Sequence, residues 1–202
     1  VALGMGLDPR IGRQFLNAGI GYGGSCFPKD VSAFIKISEE LGYDFKILKA
    51  VERVNDAQLE FFIKKIEKTL WITKDKKITI WGLAFKPDTD DMRNAPSIPI
   101  IQSLIQDGAH INAYDPVAVK RARAILPECV TFYDNMYSSV KGSDALVIVT
   151  EWEQFKQADL DKVKTLMEQP FIIDGRNIFD PAAMKEKGFI YTSIGRPQIN
   201  II

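Results

Sequence analysis

Hydrophobic residues in the first third of this chain recur with the period of an α-helix. Between residues 44 and 71 most of them fall three or four positions apart, which is broadly the spacing of one apolar helical stripe. We therefore predict a long helix that Asp44 caps and that ends near Trp71. Its length suits a strut between domains or a surface that packs against a second copy, and an ordinary core helix of a monomer is the alternative. The apolar positions are Ile47, Leu48, Val51, Val54, Leu59, Phe62, Ile63, Ile66 and Leu70.

The pattern changes after a polar stretch at residues 73–76, where we place a boundary between a region at 1–75 and a region at 76–202. In the second region, short apolar runs rich in β-branched residues alternate with helical segments. This alternation is typical of βαβ units with right-handed crossovers, so we predict an N-terminal helical region followed by a Rossmann-like α/β domain with a parallel sheet. The predicted strands are 77–85, 110–114, 130–133, 145–150, 171–173 and 189–194, and the predicted helices are 96–106, 117–126, 159–167 and 181–187.

The segment GIGYGGSCFPKD, residues 19–30, places four glycines shortly before a cysteine. Glycine is used where φ is positive or where a ligand must touch the main chain, so this run predicts a loop. Pro28 suits the first turn of a helix, and Cys26 then lies just before a helix N-terminus, where the dipole lowers a thiol pKa from about 8.5. Lys29 and Asp30 offer an electrostatic partner and a candidate base for a cysteine nucleophile. The alternative is a small buried cysteine without chemistry.

The flanks of this loop argue against a dinucleotide-binding fingerprint. Glycines at 19, 21 and 24 match G-x-G-x-x-G, but that fingerprint requires a strand before it and a helix directly after its third glycine. The preceding segment RQFLNA, residues 13–18, has a helical pattern, and a cysteine turn follows the glycines. A helix is predicted only later, at about 29–41, where Gly42 ends it. We therefore expect no NAD fingerprint in this loop.

Composition narrows the classes of function. The 202 residues hold 26 Lys and Arg against 26 Asp and Glu, so the zero net charge gives no electrostatic case for nucleic acid or an anionic membrane. No apolar run reaches the roughly 18 residues of a membrane span. Cys26 and Cys129 stand in dissimilar contexts, which argues against a disulfide framework and favours the reducing cytoplasm. The chain opens at Val1 within a helical pattern, so we interpret it as a fragment, and we expect no metal site.

Three cations follow strands of the predicted sheet. Lys86 and Arg93 lie in the loop after the first strand, and Arg176 follows the strand at 171–173. Ligands of open α/β sheets bind beyond the carboxyl ends of the strands, where arginine and lysine are suited to phosphate. We predict that these three side chains converge on a phosphate, and the alternative for each is a solvated surface charge.

Three further residues are interpreted as structural. Asp115 ends the second strand, where a dinucleotide-binding fold has its ribose-binding carboxylate. Because no glycine fingerprint follows the first strand, we interpret Asp115 as a structural turn carboxylate, with ribose binding as the alternative. His110, the single histidine, is expected to be packed or on the surface, and Cys129 is expected to be unreactive.

Several motifs together resemble one enzyme family. GYGGSCFPKD is similar to the catalytic-cysteine motif of the UDP-glucose/GDP-mannose dehydrogenase family, and the approach to it, GLDPRIG and FLNAG, matches as well. The resemblance covers nearly the whole chain but only the later part of such an enzyme. The motifs that resemble the UDP-binding domain are GLAFKPDTDDMR at 82–93, NAPS at 94–97, YDP at 114–116, TEW at 150–152 and DGRN at 174–177.

The resemblance implies an NAD-dependent oxidation of UDP-glucose to UDP-glucuronate. Cys26 would form a thiohemiacetal and then a thioester, and Asp30 would assist hydrolysis by water. NAD would be bound mainly by an upstream domain, with Arg93 reaching its pyrophosphate, so this chain alone is expected to be inactive. The family also implies a homodimer through the long helix. The implied substrate contacts are Arg10 supplied to a neighbouring subunit, Phe15, Leu16, Asn17, Tyr22, Gly23, Phe85, Lys86 and Arg176.

Other functions stay open at this point. A dehydrogenase of the same family acting on GDP-mannose or on an N-acetylated UDP-sugar is one alternative, since only the particular residues of the cysteine motif favour UDP-glucose. A nucleotide-binding, dimerising module without enzymatic activity is a second. A thiol redox protein that uses Cys26 is a third, weakened because no resolving cysteine stands nearby.

Overall fold

The computed structural model describes residues 1–199, in which three helices precede a six-stranded sheet and its own helices. None of the helices in this range is both long and apolar enough to cross a membrane. The helices are α1 (Ala2–Gly6), α2 (Phe27–Glu40), α3 (Lys46–Leu70), α4 (Ser97–Gln106), α5 (Val119–Arg123), α6 (Met136–Ser139), α7 (Glu153–Lys156), α8 (Leu160–Leu166) and α9 (Pro181–Glu186). The strands are β1 (Lys77–Trp81), β2 (His110–Tyr114), β3 (Thr131–Phe132), β4 (Ala145–Ile148), β5 (Phe171–Asp174) and β6 (Ile190–Ser193).

The six strands form one parallel sheet in the order β3-β2-β1-β4-β5-β6. The chain winds outward from β1 to one edge and then returns to build the other half from β4. The strand order therefore reverses between β1 and β4, and open α/β sheets bind their ligands in the crevice at such a reversal. The Rossmann-like parallel sheet predicted from the sequence is confirmed.

The central strands are buried on both faces, as their continuous apolar runs predict. On one face Ile80 of β1 belongs to the same hydrophobic cluster as Phe62 and Ile66 of α3. On the other face the Trp81 ring stacks on that of Phe155, with centroids 5.0 Å apart. The sheet thus separates two cores, and α3 covers part of one of them.

α3 has a buried half and an exposed half. Phe62 and Ile66 are fully buried against the sheet, whereas Ile47 and Val54, nearer the N-terminus of the helix, are exposed. The first half of α3 lies beside α2 instead, where Ser32 Oγ donates to Glu52 Oε1 at 2.7 Å. The long apolar stripe read from the sequence therefore serves the sheet core only along its second half.

Two predictions near the N-terminus are wrong. Phe45 occupies the N-cap position of α3, and the Asp44 carboxylate pairs with Lys49 Nζ at 2.9 Å instead of capping the helix. Residues 13–18 form no helix: residues 14 and 15 lie in a turn, and Phe15 has a φ of 62°, outside the right-handed helical region. Phe15 is 95% exposed, so no packing supports a helix there.

β1 is shorter than predicted because the chain turns at Gly82. The apolar run continues to Phe85, but Gly82 has a φ of 93°, and a Cβ added there would lie 2.5 Å from Thr150 Cβ. Beyond the turn, the Leu83 amide donates to the Asp115 carboxylate rather than to a strand. β2 is present with its predicted bounds, and the other predicted elements are present with shifted ends. The four-residue helices α6 and α7 were not predicted, because four residues are too few to show a helical period.

Candidate active site around the cysteine loop

Residues 19–26, which we name the cysteine loop, are fastened to α3 by two amide side chains. Gln58 Nε2 donates to the Gly19 carbonyl at 2.8 Å. Asn55 Oδ1 accepts from the Tyr22 amide at 2.8 Å, and Asn55 Nδ2 donates to the Tyr22 carbonyl at 3.2 Å. Because Asn55 and Gln58 stand three residues apart on one helical face, they hold two points of the loop at once.

The loop is also fastened to segments that follow the strands. Asn94, which precedes α4, donates through Nδ2 to the Gly24 carbonyl at 3.1 Å. Arg176, which follows β5, donates through Nη1 to the Gly21 carbonyl at 3.3 Å. The cysteine loop is thus brought to the carboxyl end of the sheet, where ligands of this fold bind.

Two glycines allow close contact between the loop and the segment after β1. A Cβ added to Gly23 would overlap the Asn94 carbonyl oxygen. Gly24 is buried with a φ of 83°, and a Cβ added there would lie 2.6 Å from the Phe85 ring. The positive φ of Gly24, and that of Gly21 at 99°, agree with the predicted loop, whereas contact of a ligand with this main chain stays a prediction.

Cys26 is the N-cap residue of α2, as its sequence position predicts, and its side chain is exposed. Its Sγ lies 3.8 Å from Ser25 Oγ, and its carbonyl accepts the first helical hydrogen bond from the Asp30 amide at 2.8 Å. Lys29 Nζ pairs with Asp30 Oδ1 at 3.3 Å, and both side chains are exposed. The thiol is therefore accessible at a helix N-terminus, and its role as a nucleophile stays a prediction.

Arg93 lies within electrostatic range of the cysteine. Its Nε and Nη2 donate to the Asp91 carboxylate at 2.9 and 2.7 Å, and these bonds lower the pKa of Asp91 to about 2. The pKa of Arg93 is raised, mainly by the Asp91 hydrogen bond and least by the charge of Cys26. Arg93 is thus an exposed cation held by Asp91, and its contact with the cofactor stays a prediction.

Asp174 organises the turn that carries Arg176. Its Oδ1 accepts from the Arg176 amide at 2.8 Å, and its Oδ2 accepts from the Ile178 amide at 2.8 Å and from the Tyr191 hydroxyl at 2.7 Å. Burial raises the pKa of Asp174, although these hydrogen bonds oppose the shift. The backbone of Arg176 is therefore held from within the sheet.

Asp115 is a structural anchor. Its carboxylate accepts five hydrogen bonds, two of them from the Val117 and Ala118 amides that follow it. The interpretation as a structural turn carboxylate is confirmed, and the YDP, TEW and GLAFK segments meet at this one side chain. The other three donors are the Leu83 and Ala84 amides and Trp152 Nε1.

Comparison with known proteins identifies the family. The UDP binding domain of the UDP-glucose/GDP-mannose dehydrogenase family matches residues 79–181, and the central domain of the same family matches residues 1–57. This chain belongs to the UDP-glucose/GDP-mannose dehydrogenase family. The resemblance seen in the motifs is thereby confirmed.

Relatives in this family cover the chain almost completely. UDP-glucose 6-dehydrogenase TuaD of Bacillus subtilis is 49% identical over 199 residues, which are 98% of this chain and 43% of TuaD. UDP-glucose 6-dehydrogenase of Pseudomonas aeruginosa is 48% identical, over 98% of this chain and 45% of its own length. The structure of a UDP-glucose dehydrogenase from Pyrobaculum islandicum matches 95% of this chain and 42% of its own with a TM-score of 0.82 and 34% identity. The chain therefore spans less than half the length of these family members.

The structure brings only some of the family-implied substrate residues to the loop and strand ends. Gly23 contacts the segment after β1, and Arg176 bonds to the loop; Tyr22 packs on Phe27 with ring centroids 5.8 Å apart. Lys86 is exposed in the segment that follows β1, with its Nζ 5.5 Å from the centroid of the Phe85 ring. The expected convergence of Lys86, Arg93 and Arg176 on a phosphate stays a prediction.

The family-implied substrate residues that precede the loop are mostly exposed. Arg10 is 87% exposed and pairs with Asp8 through Nη2 at 2.6 Å. Phe15 and Asn17 are exposed, and Leu16 is half-buried. These four substrate contacts implied by the family stay predictions, and an exposed Arg10 is compatible with the expectation that it serves a neighbouring subunit.

A cleft of about 350 Å³ adjoins the cysteine loop, between α3 and the start of α4. A larger hollow of about 550 Å³ lies near the end of α3, at Trp71, but none of the predicted site residues lines it. We therefore place the candidate site at the smaller cleft and the adjoining strand ends. The smaller cleft is lined by Ile20, Tyr22, Pro28, Asn55, Asp56, Leu59, Asn94, Ala95, Pro96, Ile98 and Pro99.

Sequence reasoning missed Asn55, Gln58 and Glu151. The first two hold the loop, and Glu151 pairs with Arg176. A signal was present for Asn55 and Gln58, because two amides three residues apart border the apolar stripe of α3. The TEW motif includes Glu151, but no local pattern connects Glu151 with Arg176, 25 residues later.

Proposed function

We propose that this chain is the part of a UDP-glucose 6-dehydrogenase that binds the UDP-sugar and carries the catalytic cysteine. The observation that carries this proposal is the cysteine loop itself, which places Gly24 against Phe85 and Gly21 against Arg176 at the carboxyl end of the sheet. The names of the relatives favour UDP-glucose as the sugar nucleotide. In this proposal residues 1–75 carry the cysteine and the dimer contact, and residues 76–202 bind UDP.

The sheet of this chain does not fit NAD as its main ligand. The loop after β1 reads GLAFKP without a glycine fingerprint, and Asp115, at the usual ribose position, is already engaged by protein donors. NAD⁺, the hydride acceptor of this enzyme class, is therefore proposed to bind mainly upstream. Arg93 is its one proposed contact here.

The chemistry that we assign to this chain is covalent catalysis on C6 of the sugar. The Cys26 thiolate adds to the C6 aldehyde, forming a carbon–sulfur bond in a thiohemiacetal. One hydride passes to NAD⁺ bound upstream when the C6 alcohol becomes the aldehyde, and another passes to a second NAD⁺ when the thiohemiacetal becomes the thioester on Cys26. Water then attacks the thioester carbonyl, the carbon–sulfur bond breaks, and the acid and the thiol are released. Asp30, one helical turn after Cys26, positions the water or takes its proton.

Binding of UDP tests the proposal directly. Changing Lys86 or Arg176 to Ala should weaken UDP binding by roughly 1.5–3 kcal/mol, the range of a charged hydrogen bond, or about 10- to 150-fold in Kd. Isothermal titration with UDP measures the change. Lys141→Ala is the control and should bind as the unmodified chain does, because Lys141 is exposed and precedes β4, at the amino end of the strands. An unchanged Kd for both variants would mean that neither Lys86 nor Arg176 binds the phosphate of UDP.

The chain by itself should form no NADH from UDP-glucose and NAD⁺. Hydride transfer requires the nicotinamide within about 3–3.5 Å of C6, and one arginine cannot orient that ring. Adding the upstream domain, covalently or as a second chain, should restore two NADH per sugar. Steady NADH formation by the chain alone, abolished by Cys26→Ser, would show that this chain itself holds the NAD site and that its proposed location upstream is wrong.

A homodimer through α2 and α3 is proposed from their exposed apolar residues. Val51 and Val54 of α3 and Phe34 of α2 are 39%, 68% and 62% exposed. Light scattering at tens of micromolar, roughly the range in which a standard interface is filled, should give twice the chain mass. Val54→Glu should shift the mass toward a monomer, and Val117→Glu, an exposed valine of the sheet domain, should not. A monomer before any substitution would contradict the proposal.

A further inference from the structure

An ion pair joins the ends of β4 and β5 beside the cysteine loop. Ile148 and Asp174 are paired across the two strands, and Glu151 and Arg176 follow them within three residues. Arg176 Nε donates to Glu151 Oε2 at 2.5 Å, and Arg176 Nη2 donates to Oε1 at 2.8 Å. This two-bond geometry is the strongest and most directional form of an arginine–carboxylate contact.

The same guanidinium reaches the loop with its remaining nitrogen. Nη1 donates to the Gly21 carbonyl at 3.3 Å, and a Cβ added to Gly19 would lie 3.2 Å from Nη1. The other end of Arg176 is fixed as well, because its amide donates to Asp174. Glu151 therefore sets the direction in which the guanidinium points, and that direction decides whether Nη1 meets Gly21.

We propose that Glu151 is a positioning residue: it orients Arg176, and Arg176 holds the cysteine loop in place five residues before Cys26. The inference rests on the proposed function, since it assigns Glu151 a part in presenting the thiol. The side chains of Arg176 and Glu151 are only 20% and 31% exposed. Removal of one partner from such a pair leaves the other charge poorly solvated, so Arg176 turns toward water and releases Gly21.

Hydrogen exchange without nucleotide tests the inference. In Glu151→Ala, amides of residues 19–25 should exchange at least about tenfold faster, while amides of β4 and β5 keep their rates. Glu153→Ala is the matched control. Glu153 lies two residues away and also carries an ion pair, to Lys156, but its hydrogen bonds join it to Lys156 and Gln157 rather than to the loop, so all rates should stay unchanged. If the alanine variant does not fold, Glu151→Gln replaces it, with an expected acceleration of at least about threefold.

A double-mutant cycle separates this role from general stabilisation. Arg176→Ala should accelerate loop exchange as much as Glu151→Ala does. The double variant should exchange no faster than either single variant, because both substitutions break the same series of contacts from Glu151 through Arg176 to the loop. Unchanged loop exchange, equal acceleration of the loop and the two strands, or additive effects would each overturn the inference. Because exchange is followed without UDP, a failure of UDP binding would leave this result intact and would count only against the proposed function.

Discussion

Cys26→Ser in the complete enzyme should stop release of the sugar acid while the protein stays folded. The thioester cannot form without sulfur, and a serine hydroxyl is far less ionised than a thiol at neutral pH, so we expect a loss of at least about 10³-fold in acid formation. Folding should be unharmed because Cys26 is the N-cap residue of α2, a position that serine favours. Chromatography of the UDP-sugars measures the acid, and thermal melting checks the fold.

Cys129→Ser is the matched control for this experiment. Cys129 is also exposed, but it lies between α5 and β3, outside the cysteine loop and the strand ends named above. Its substitution should leave the rate of acid formation unchanged. Acid released by Cys26→Ser at the unmodified rate would remove Cys26 from the mechanism, and a loss caused by Cys129→Ser would mean that the assignment of the nucleophile is wrong.

Gly24→Ala should destabilise the protein by about 2–5 kcal/mol. Roughly 1–2 kcal/mol arises from placing a Cβ at the φ of 83°, and roughly 1–3 kcal/mol from overpacking against the Phe85 ring, 2.6 Å from the added atom. UDP binding should weaken as well, since Phe85 is a proposed substrate contact and must move. Urea denaturation measures the free energy of unfolding, and titration with UDP measures the second effect.

Gly42→Ala separates the two contributions. Gly42 has a φ of 78°, close to that of Gly24, but no atom would lie within 4 Å of its added Cβ. Gly42→Ala should therefore lower the free energy of unfolding only through the strained backbone conformation, by about 1–2 kcal/mol, and should leave UDP binding unchanged. Equal costs at both positions would show that the Phe85 contact contributes nothing and that the loop moves away freely.

Much of the fold was predictable because it depends on local periodicity. The boundaries of β2 were predicted to the residue, and α4 and α9 to within one. The error at the end of β1 arose because distant groups end that strand. The apolar run after Lys77 continues to Phe85, yet β1 stops at Trp81 because Thr150 packs against Gly82 and Asp115 takes the next amides.

The sequence by itself determined the α/β class, the family, and a cysteine at a helix N-terminus after a glycine loop, since all of these depend on neighbours within a few residues. Only the tertiary structure decided how that loop is held. Its anchors Asn55, Asn94 and Arg176 stand 33, 70 and 155 residues from their loop partners. Such contacts leave no local period in the chain, because they depend on where the turns of the sheet bring side chains together.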